Sequence, residues 1–198
     1  MLKSQEILKR LFDIFFSFLG LVFSFIVIFI AWILASFETR SNGFFIQKRV
    51  GKSGQLFSVI KIKTMKKVDG IDTTITSSSD VRITKSGKIF RDTKIDELPQ
   101  LWNVLIGEMS FVGPRPDVPG YADVLEGDDR IILSIRPGIT GPASIKYKNE
   151  EEVLSLQKNP KDYNDNVIWP DKVTINKEYI RNWSLQNDIK YIIKTITG

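Results

Sequence analysis

The residues able to do chemistry in this chain crowd into one stretch, Arg91 to Pro116, where Asp96 and Glu97 stand side by side with Arg91, Lys94 and Arg115 near them. Adjacent carboxylates can act as a nucleophile, carry a proton or offer oxygen ligands to a hard cation. Neighbouring cations suit an anionic substrate, a phosphate above all. An Asp-Glu pair also has an ordinary use, as a helix N-cap followed by a first-turn acid. A simple cap does not need three cations beside it. Pro114 and Pro116 flank Arg115 and restrict the backbone that presents its guanidinium.

Composition narrows the chemistry. The 198 residues include no cysteine and no histidine. That excludes disulfides, Cys or His zinc sites and every Ser-His or Cys-His nucleophile pair. A nucleophile or base must then be a carboxylate, Ser, Thr, Lys or Tyr, and any metal must sit on oxygen ligands, which favours magnesium. The net charge of +5 and the pI near 9.3 suit an anionic partner, whether nucleic acid, a membrane surface or a nucleotide.

Several elements must position these residues. Leu98, Leu101, Trp102 and Leu105 recur at i, i+3, i+4 and i+7, which predicts a helix starting near Asp96 with one buried face and with Pro99 in its first turn. Both carboxylates would then lie at a helix N-terminus, where a phosphate can also bind. Upstream, Phe44–Val50 and Leu56–Lys63 read as the two strands of a hairpin, turned at Gly51–Gly54, with Val59, Lys61 and Lys63 on one face. The small-polar run from Lys66 to Ser79 reads as a mobile loop. Arg82, Lys85, Lys88 and Arg91 form a basic stripe leading to Asp96; it lacks a regular aromatic interleaving, Phe90 being the one aromatic within it, which disfavours a nucleic-acid partner. Val118 to Asp129 is expected to be helical, Arg136 to Pro142 a rigid loop, and Asn159 to Lys172 loop-like. The last segment, Ile175 to Ile196, reads as an amphipathic helix. It packs on the domain by default, with a flat position in the lipid interface, anchored by Trp183, as the alternative.

Ile14 to Ala35 carries no charge, and a run of about 20 apolar residues is what a membrane-inserted helix requires. A signal peptide fits less well, since its apolar core is shorter and ends at a cleavage site. Length alone favours a spanning helix. Lys3, Lys9 and Arg10 before it, and Arg40, Lys48, Arg49 and Lys52 after it, instead point to cytoplasm at both ends and a helix that enters and turns back. Trp32 can anchor at the interface, and Asp13 reads as a headgroup-level residue at the helix start.

The segments Asp96-Glu-Leu-Pro-Gln100, Gly113-Pro-Arg-Pro116, Lys61-Ile-Lys-Thr-Met65 and Arg136-Pro-Gly-Ile-Thr-Gly141, with Lys9, Arg10 and Asp13, together resemble one family. It is that of the bacterial polyprenyl-phosphate sugar-1-phosphate transferases, the monotopic phosphoglycosyl transferases, and the 198-residue length resembles its small, minimal members. Three positions depart from the pattern. Lys63 replaces an arginine, Ser24-Phe25 replaces the Ser-Pro that breaks the membrane helix, and Pro142-Ala143-Ser144 replaces Trp-Ala-Gln. Without the proline, a break would have to come from Ser17, Gly20 or Ser24.

The resemblance implies an α+β, mostly helical fold: residues 1–36 a membrane-inserted, re-entrant helix, and residues 37–198 a compact cytoplasmic catalytic domain with a small β-hairpin and amphipathic interface helices. It implies transfer of sugar-1-phosphate from a UDP-sugar to undecaprenyl or another polyprenyl phosphate at the bacterial inner membrane, releasing UMP and opening surface-glycan synthesis such as lipopolysaccharide or capsule. Asp96 would be the nucleophile that carries the phospho-sugar, Glu97 the Mg2+ ligand, and Lys61, Lys63, Arg91, Arg115 and Arg136 the substrate-binding cations. Partners would be the donor, the lipid acceptor, membrane lipid and downstream glycosyltransferases, with no nucleic acid. The alternative is a catalytically silent, membrane-anchored assembly protein, for which loss of Asp96 or Glu97 would be the expected mark.

Overall fold

The structure, a computed structural model, describes residues 1–67 and 80–198. It is mostly helical, with one long apolar helix at the N-terminus and two small sheets. Helix α1, Lys3–Thr39, runs through 37 residues, about 55 Å at 1.5 Å per residue. Its outer face is a continuous field of exposed Leu, Ile, Val and Phe. Its inner face is made of residues that let the domain approach. Lys9, Asp13 and Ser17 are buried near one end, Ala31 and Ala35 near the other, and between them Gly20 faces the side chain of Leu101. Small residues at a helix contact allow this closeness. Ser17, Gly20 and Ser24, the expected breakers, all remain within the helix; Ser17 Oγ and Ser24 Oγ bond the carbonyls of Ile14 and Gly20.

The predicted hairpin forms, as β1 (Phe44–Val50) against β2 (Leu56–Ile62), with Gln47 opposite Val59 and Phe45 opposite Lys61. Beyond β2, Met65 bridges Ile83. The mobile loop expected from Lys66 to Ser79 lies, past Lys67, outside the described residues. Helix α2 is Lys85–Asp92, capped by Thr84 Oγ1 on the Gly87 amide. The expected basic stripe is split there. Arg82, largely buried, pairs with Asp80 at 2.6 Å instead of continuing the helix face.

Helix α3, Gln100–Ile106, begins four residues later than predicted. A 3₁₀ turn, Ile95–Glu97, precedes it, entered through Lys94 at φ 60°. Asp96 and Glu97 therefore sit in a tight turn, not at the mouth of an α-helix. The buried face of α3 is also not the predicted stripe. Gln100, Leu101, Asn103 and Val104 point inward, while Trp102 and Ile106 are each 50% exposed.

A second sheet has no counterpart in the predicted elements. Strands β3 (Ser110–Val112) and β4 (Gly138–Thr140) pair in parallel, and Gly113 and Gly138 donate to the carbonyls of Thr140 and Pro114. A Cβ on Gly113 or Gly138 would overlap the facing backbone. The Gly-Pro-Arg-Pro and Arg-Pro-Gly-Ile-Thr-Gly segments are thus locked face to face, with no room for side chains. The segment expected as a helix, Val118 to Asp129, forms only 3₁₀ turns, at Ala122–Val124 and Gly127–Ser134.

Short helices α4 (Pro142–Lys146), α5 (Glu150–Ser155) and α6 (Pro160–Tyr163) lead through a π-turn, Asn164–Ile168, into α7 (Trp169–Arg181), so the region expected as loop is largely helical. The expected last helix is two, because α7 ends near Asn182 and α8, Leu185–Thr197, starts afresh on a Ser184 cap. Trp183 between them is 7% exposed and belongs to the main core with Val112, Ile132, Ile135, Val173 and Ile180. It cannot anchor in lipid; its indole N–H donates to Asp188 Oδ2 at 3.0 Å. Ile189, Ile193 and Ile196 do form an exposed stripe on α8.

Candidate active site

Both flanks of α1 are tied to the same domain by charged residues. Lys9 donates to Asp188 of α8 at 2.6 Å, in a buried cluster completed by Tyr179 and Trp183. Arg10 gives its two terminal nitrogens to the carbonyls of Val104, which the Gly107 amide also reaches at 3.1 Å, and Leu105 in the last turn of α3. Asp13 accepts from Ser110 Oγ and the Phe111 amide on β3. At the far end, Glu38 accepts from the amide and hydroxyl of Ser86 in the first turn of α2.

Within this frame Asn103 joins the catalytic segment to the hairpin. Fully buried, it accepts from the Ile60 amide at 3.2 Å and donates to the Ser58 carbonyl at 2.8 Å and to Glu108 at 2.7 Å. Its side-chain amide thus stands in for a neighbouring strand along the free edge of β2. The next residue on that strand, Lys61, reaches Glu97 Oε1 at 2.7 Å.

Arg115, on the locked proline loop, approaches the same oxygen at 3.7 Å. Burial alone would raise the Glu97 carboxyl. The charges of Lys61, Arg115 and Lys94 outweigh it and hold Glu97 at about 2, fully ionised at neutral pH. Its neighbour behaves in the opposite way. Burial and the Glu97 charge push the Asp96 carboxyl above its usual range, against the pull of Lys61, Lys94 and Arg91, and Asp96 Oδ1 is buried with no hydrogen-bond partner among the described residues. Two adjacent carboxyls are driven apart in character, one held ionised by ion pairs and the other pushed up and without a hydrogen-bond partner at Oδ1 among the described residues.

Of the residues singled out in the sequence, Asp96, Glu97, Lys61 and Arg115 come together here, and Arg91 lies close enough to act on the Asp96 charge. Lys63 and Arg136 are placed elsewhere. Lys63 Nζ bonds Ser41 Oγ after α1. Arg136 Nε donates to Gly107 O, beside Arg10 at the opposite end of α3 from Asp96. The structure adds Arg49, Gln47 and Gln100, which line a cleft of about 90 Å³ with Lys61 and Arg115. Alternation along β1 put Gln47 and Arg49 on the Phe45 face, a signal the sequence did carry.

A match to the model of the bacterial sugar transferases extends over residues 4–198. The chain belongs to that family. As a bacterial sugar transferase it is 34% identical to the UDP-glucose:undecaprenyl-phosphate glucose-1-phosphate transferase of Klebsiella pneumoniae over 198 residues, covering 96% of this chain and 39% of that protein. It is 32% identical to the UDP-galactose-lipid carrier transferase of Erwinia amylovora, over 98% of this chain and 40% of that protein. The uncharacterized sugar transferase EpsL of Bacillus subtilis is 34% identical over 96% of this chain and 86% of its own length. The chain thus spans about two fifths of the longer relatives and most of the shorter one.

Proposed function

We propose that this bacterial sugar transferase moves sugar-1-phosphate from a UDP-sugar to a polyprenyl phosphate and releases UMP. The observation that carries the reading is the divided carboxyl pair: Asp96 with a buried, unpartnered oxygen, beside Glu97 held by Lys61 and Arg115. In the first step an Asp96 oxygen bonds to the sugar-bearing phosphorus and UMP departs; in the second the lipid phosphate displaces Asp96. Splitting the transfer gives each acceptor its own step. Lys61, Arg91 and Arg115 bind and align phosphate oxygens, which is most of what phosphoryl transfer asks of a protein. The names of the Klebsiella and Erwinia relatives, one for UDP-glucose and one for UDP-galactose, support the donor class and leave the sugar open.

Magnesium fits these residues in one manner. Among the described residues no group of three His, Cys, Asp or Glu side chains is placed to hold a metal. Glu97 and Asp96, with its unpaired oxygen, are two carboxylates, and Mg2+ is ordinarily held by one or two carboxylates plus substrate phosphates and water. Bound there, it would neutralise phosphate charge.

The membrane reading rests on the ties at both flanks of α1. Lys9 and Glu38 lie 29 residues apart, about 43 Å along a helix, yet both bond the same domain. A helix crossing the bilayer would carry its ends to opposite sides. We read α1 as one unbroken helix embedded in the cytoplasmic leaflet along the domain, the break expected at Ser17, Gly20 or Ser24 not forming, with exposed Trp102 and Ile106 of α3 adding to its apolar surface. That puts the carboxyl pair at headgroup depth, where a lipid phosphate lies.

The test is UMP release from a panel of UDP-sugars by detergent-purified protein with Mg2+ and undecaprenyl phosphate. Release that needs the lipid and disappears in Asp96→Asn and Glu97→Gln is expected. Near-normal turnover by Asp96→Asn would overturn the covalent step.

A further inference from the structure

We infer that the cleft beside Glu97 seats the departing nucleoside monophosphate, and that Arg49 and Gln100 are the side chains that hold its phosphate. The inference rests on the transferase reading and assigns one half of the donor to a place. Strand β1 supplies Gln47 and Arg49 to the cleft, β2 supplies Lys61, α3 supplies Gln100 and the proline loop supplies Arg115. Three cations thus line it. Glu97 engages two of them, Lys61 at 2.7 Å and Arg115 at 3.7 Å. Arg49 hydrogen-bonds only to neutral acceptors, Gln47 Oε1 at 2.6 Å and Pro116 O at 3.3 Å. Burial and the nearby Arg115 charge work against its positive form, and the Asp117 carboxylate supports it. A cleft in which two guanidiniums repel one another is relieved by a dianion between them.

Gln100 is the independent sign of a missing ligand. It is 4% exposed, lines the cleft, and its amide nitrogen has no hydrogen-bond partner among the described residues. A buried amide donor without a partner is costly, and native structures rarely leave one. Gln100 also follows Asp96 by four residues on one continuous run of turn and helix, so the nucleophile and this amide share one rigid element.

The chemistry supplies the ligand. When an Asp96 oxygen bonds to the sugar-bearing phosphorus, the bond from that phosphorus to the bridging oxygen breaks. The electron pair stays with the bridging oxygen, and the nucleoside leaves as a monophosphate dianion. That oxygen gains charge as the bond breaks, so cationic and amide donors aimed at it favour the transition state over the bound substrate. Arg49 and Gln100 can add to what Lys61 and Arg115 supply, because neither is hydrogen-bonded to a carboxylate.

The experiment measures equilibrium binding of UMP to the full-length protein in detergent, with uridine, inorganic phosphate and undecaprenyl phosphate as comparators. Wild type, Arg49→Gln, Arg49→Lys, Gln100→Leu and Asp96→Asn are compared. UMP should bind wild type. Arg49→Gln and Gln100→Leu should each weaken it about tenfold or more. Arg49→Lys, which keeps the charge and guards against misfolding, should recover part of the loss, and undecaprenyl phosphate binding should not change. Equal UMP affinity in all five proteins, or no UMP binding by wild type, would overturn the assignment. So would variants that lose undecaprenyl phosphate and keep UMP, which would make the cleft the acceptor's. Failure of the transferase reading shows separately, as turnover that survives Asp96→Asn.

Discussion

Asn103→Ala tests how the carboxyl pair is held against the hairpin. The substitution removes three hydrogen bonds, to the Ile60 amide, the Ser58 carbonyl and Glu108. Each is worth about 1 kcal/mol net, and the strand groups left behind are partly buried, so the loss is about 3 kcal/mol. For a chain of this size that lowers the melting temperature by roughly 6–12 °C. Activity should fall further than stability explains. With the strand edge uncovered, Lys61 is no longer fixed relative to Glu97, and loss of alignment in phosphoryl transfer costs on the order of tenfold or more. Thermal unfolding by circular dichroism, with UMP release measured well below the melting temperature, separates the two effects. Asn103→Asp should be worse, since it keeps the acceptor for Ile60, loses the donor to Ser58 and sets a carboxylate against Glu108. A variant Asn103→Ala that melts within about 2 °C of wild type and turns over normally would refute the idea that this amide positions the site.

Two further outcomes follow from buried charge. Burial pushes the Asp117 carboxyl up to about 6, against the pull of Lys172, Arg115 and Arg49, whereas in the unfolded chain it titrates near 3.9. The folded state therefore holds this proton more tightly, and its stability falls as pH rises from about 4 to about 6. Asp117→Asn removes that penalty, so its melting temperature relative to wild type should be higher at pH 8 than at pH 4; a pH-independent difference would count against it. Lys9→Met leaves Asp188 charged and buried beside Tyr179 and Trp183 and should cost about 3–5 kcal/mol. Pairing it with Asp188→Leu should restore part of that, as a double-mutant melting series would read.

How legible the fold was depended on whether a local pattern had a single cause. The hairpin was readable because alternation and the Gly51–Gly54 turn agree. The apolar stripe of α3 was misread because buried and exposed apolar residues can share one helical spacing. Leu101 faces the core, whereas Trp102 and Ile106 face outward, and spacing cannot tell the two apart. Trp183 packs on the domain, as the default reading had it; the lipid-anchor alternative fails because Trp183 is buried and bonded to Asp188, whose partner Lys9 lies 179 residues away in sequence. The meeting of Glu97 with Arg115 was foreshadowed by the charge around the pair, and that with Lys61 by the family resemblance of its strand. The roles of Asn103 and Gln100 were not, since both are polar side chains turned inward by contacts the sequence does not announce. The parallel pairing of β3 with β4 hid behind prolines and glycines that read only as rigid loops.

The uses made of Lys9, Arg10 and Asp13 change what α1 is to this protein. None of the three is spent on solvent or headgroups; each completes a hydrogen-bonding need of α8, α3 or β3. A chain shortened by removal of α1 would leave the Leu105 carbonyl at the end of α3 without Arg10 and the buried Asp188 carboxylate without Lys9. The helix is thus a rib of the catalytic body and not a tether to it. Under the proposed membrane reading, lifting it from lipid and unfolding the site are one event, so a water-soluble form is better sought by recolouring the outer face of α1 with polar residues than by cutting it away.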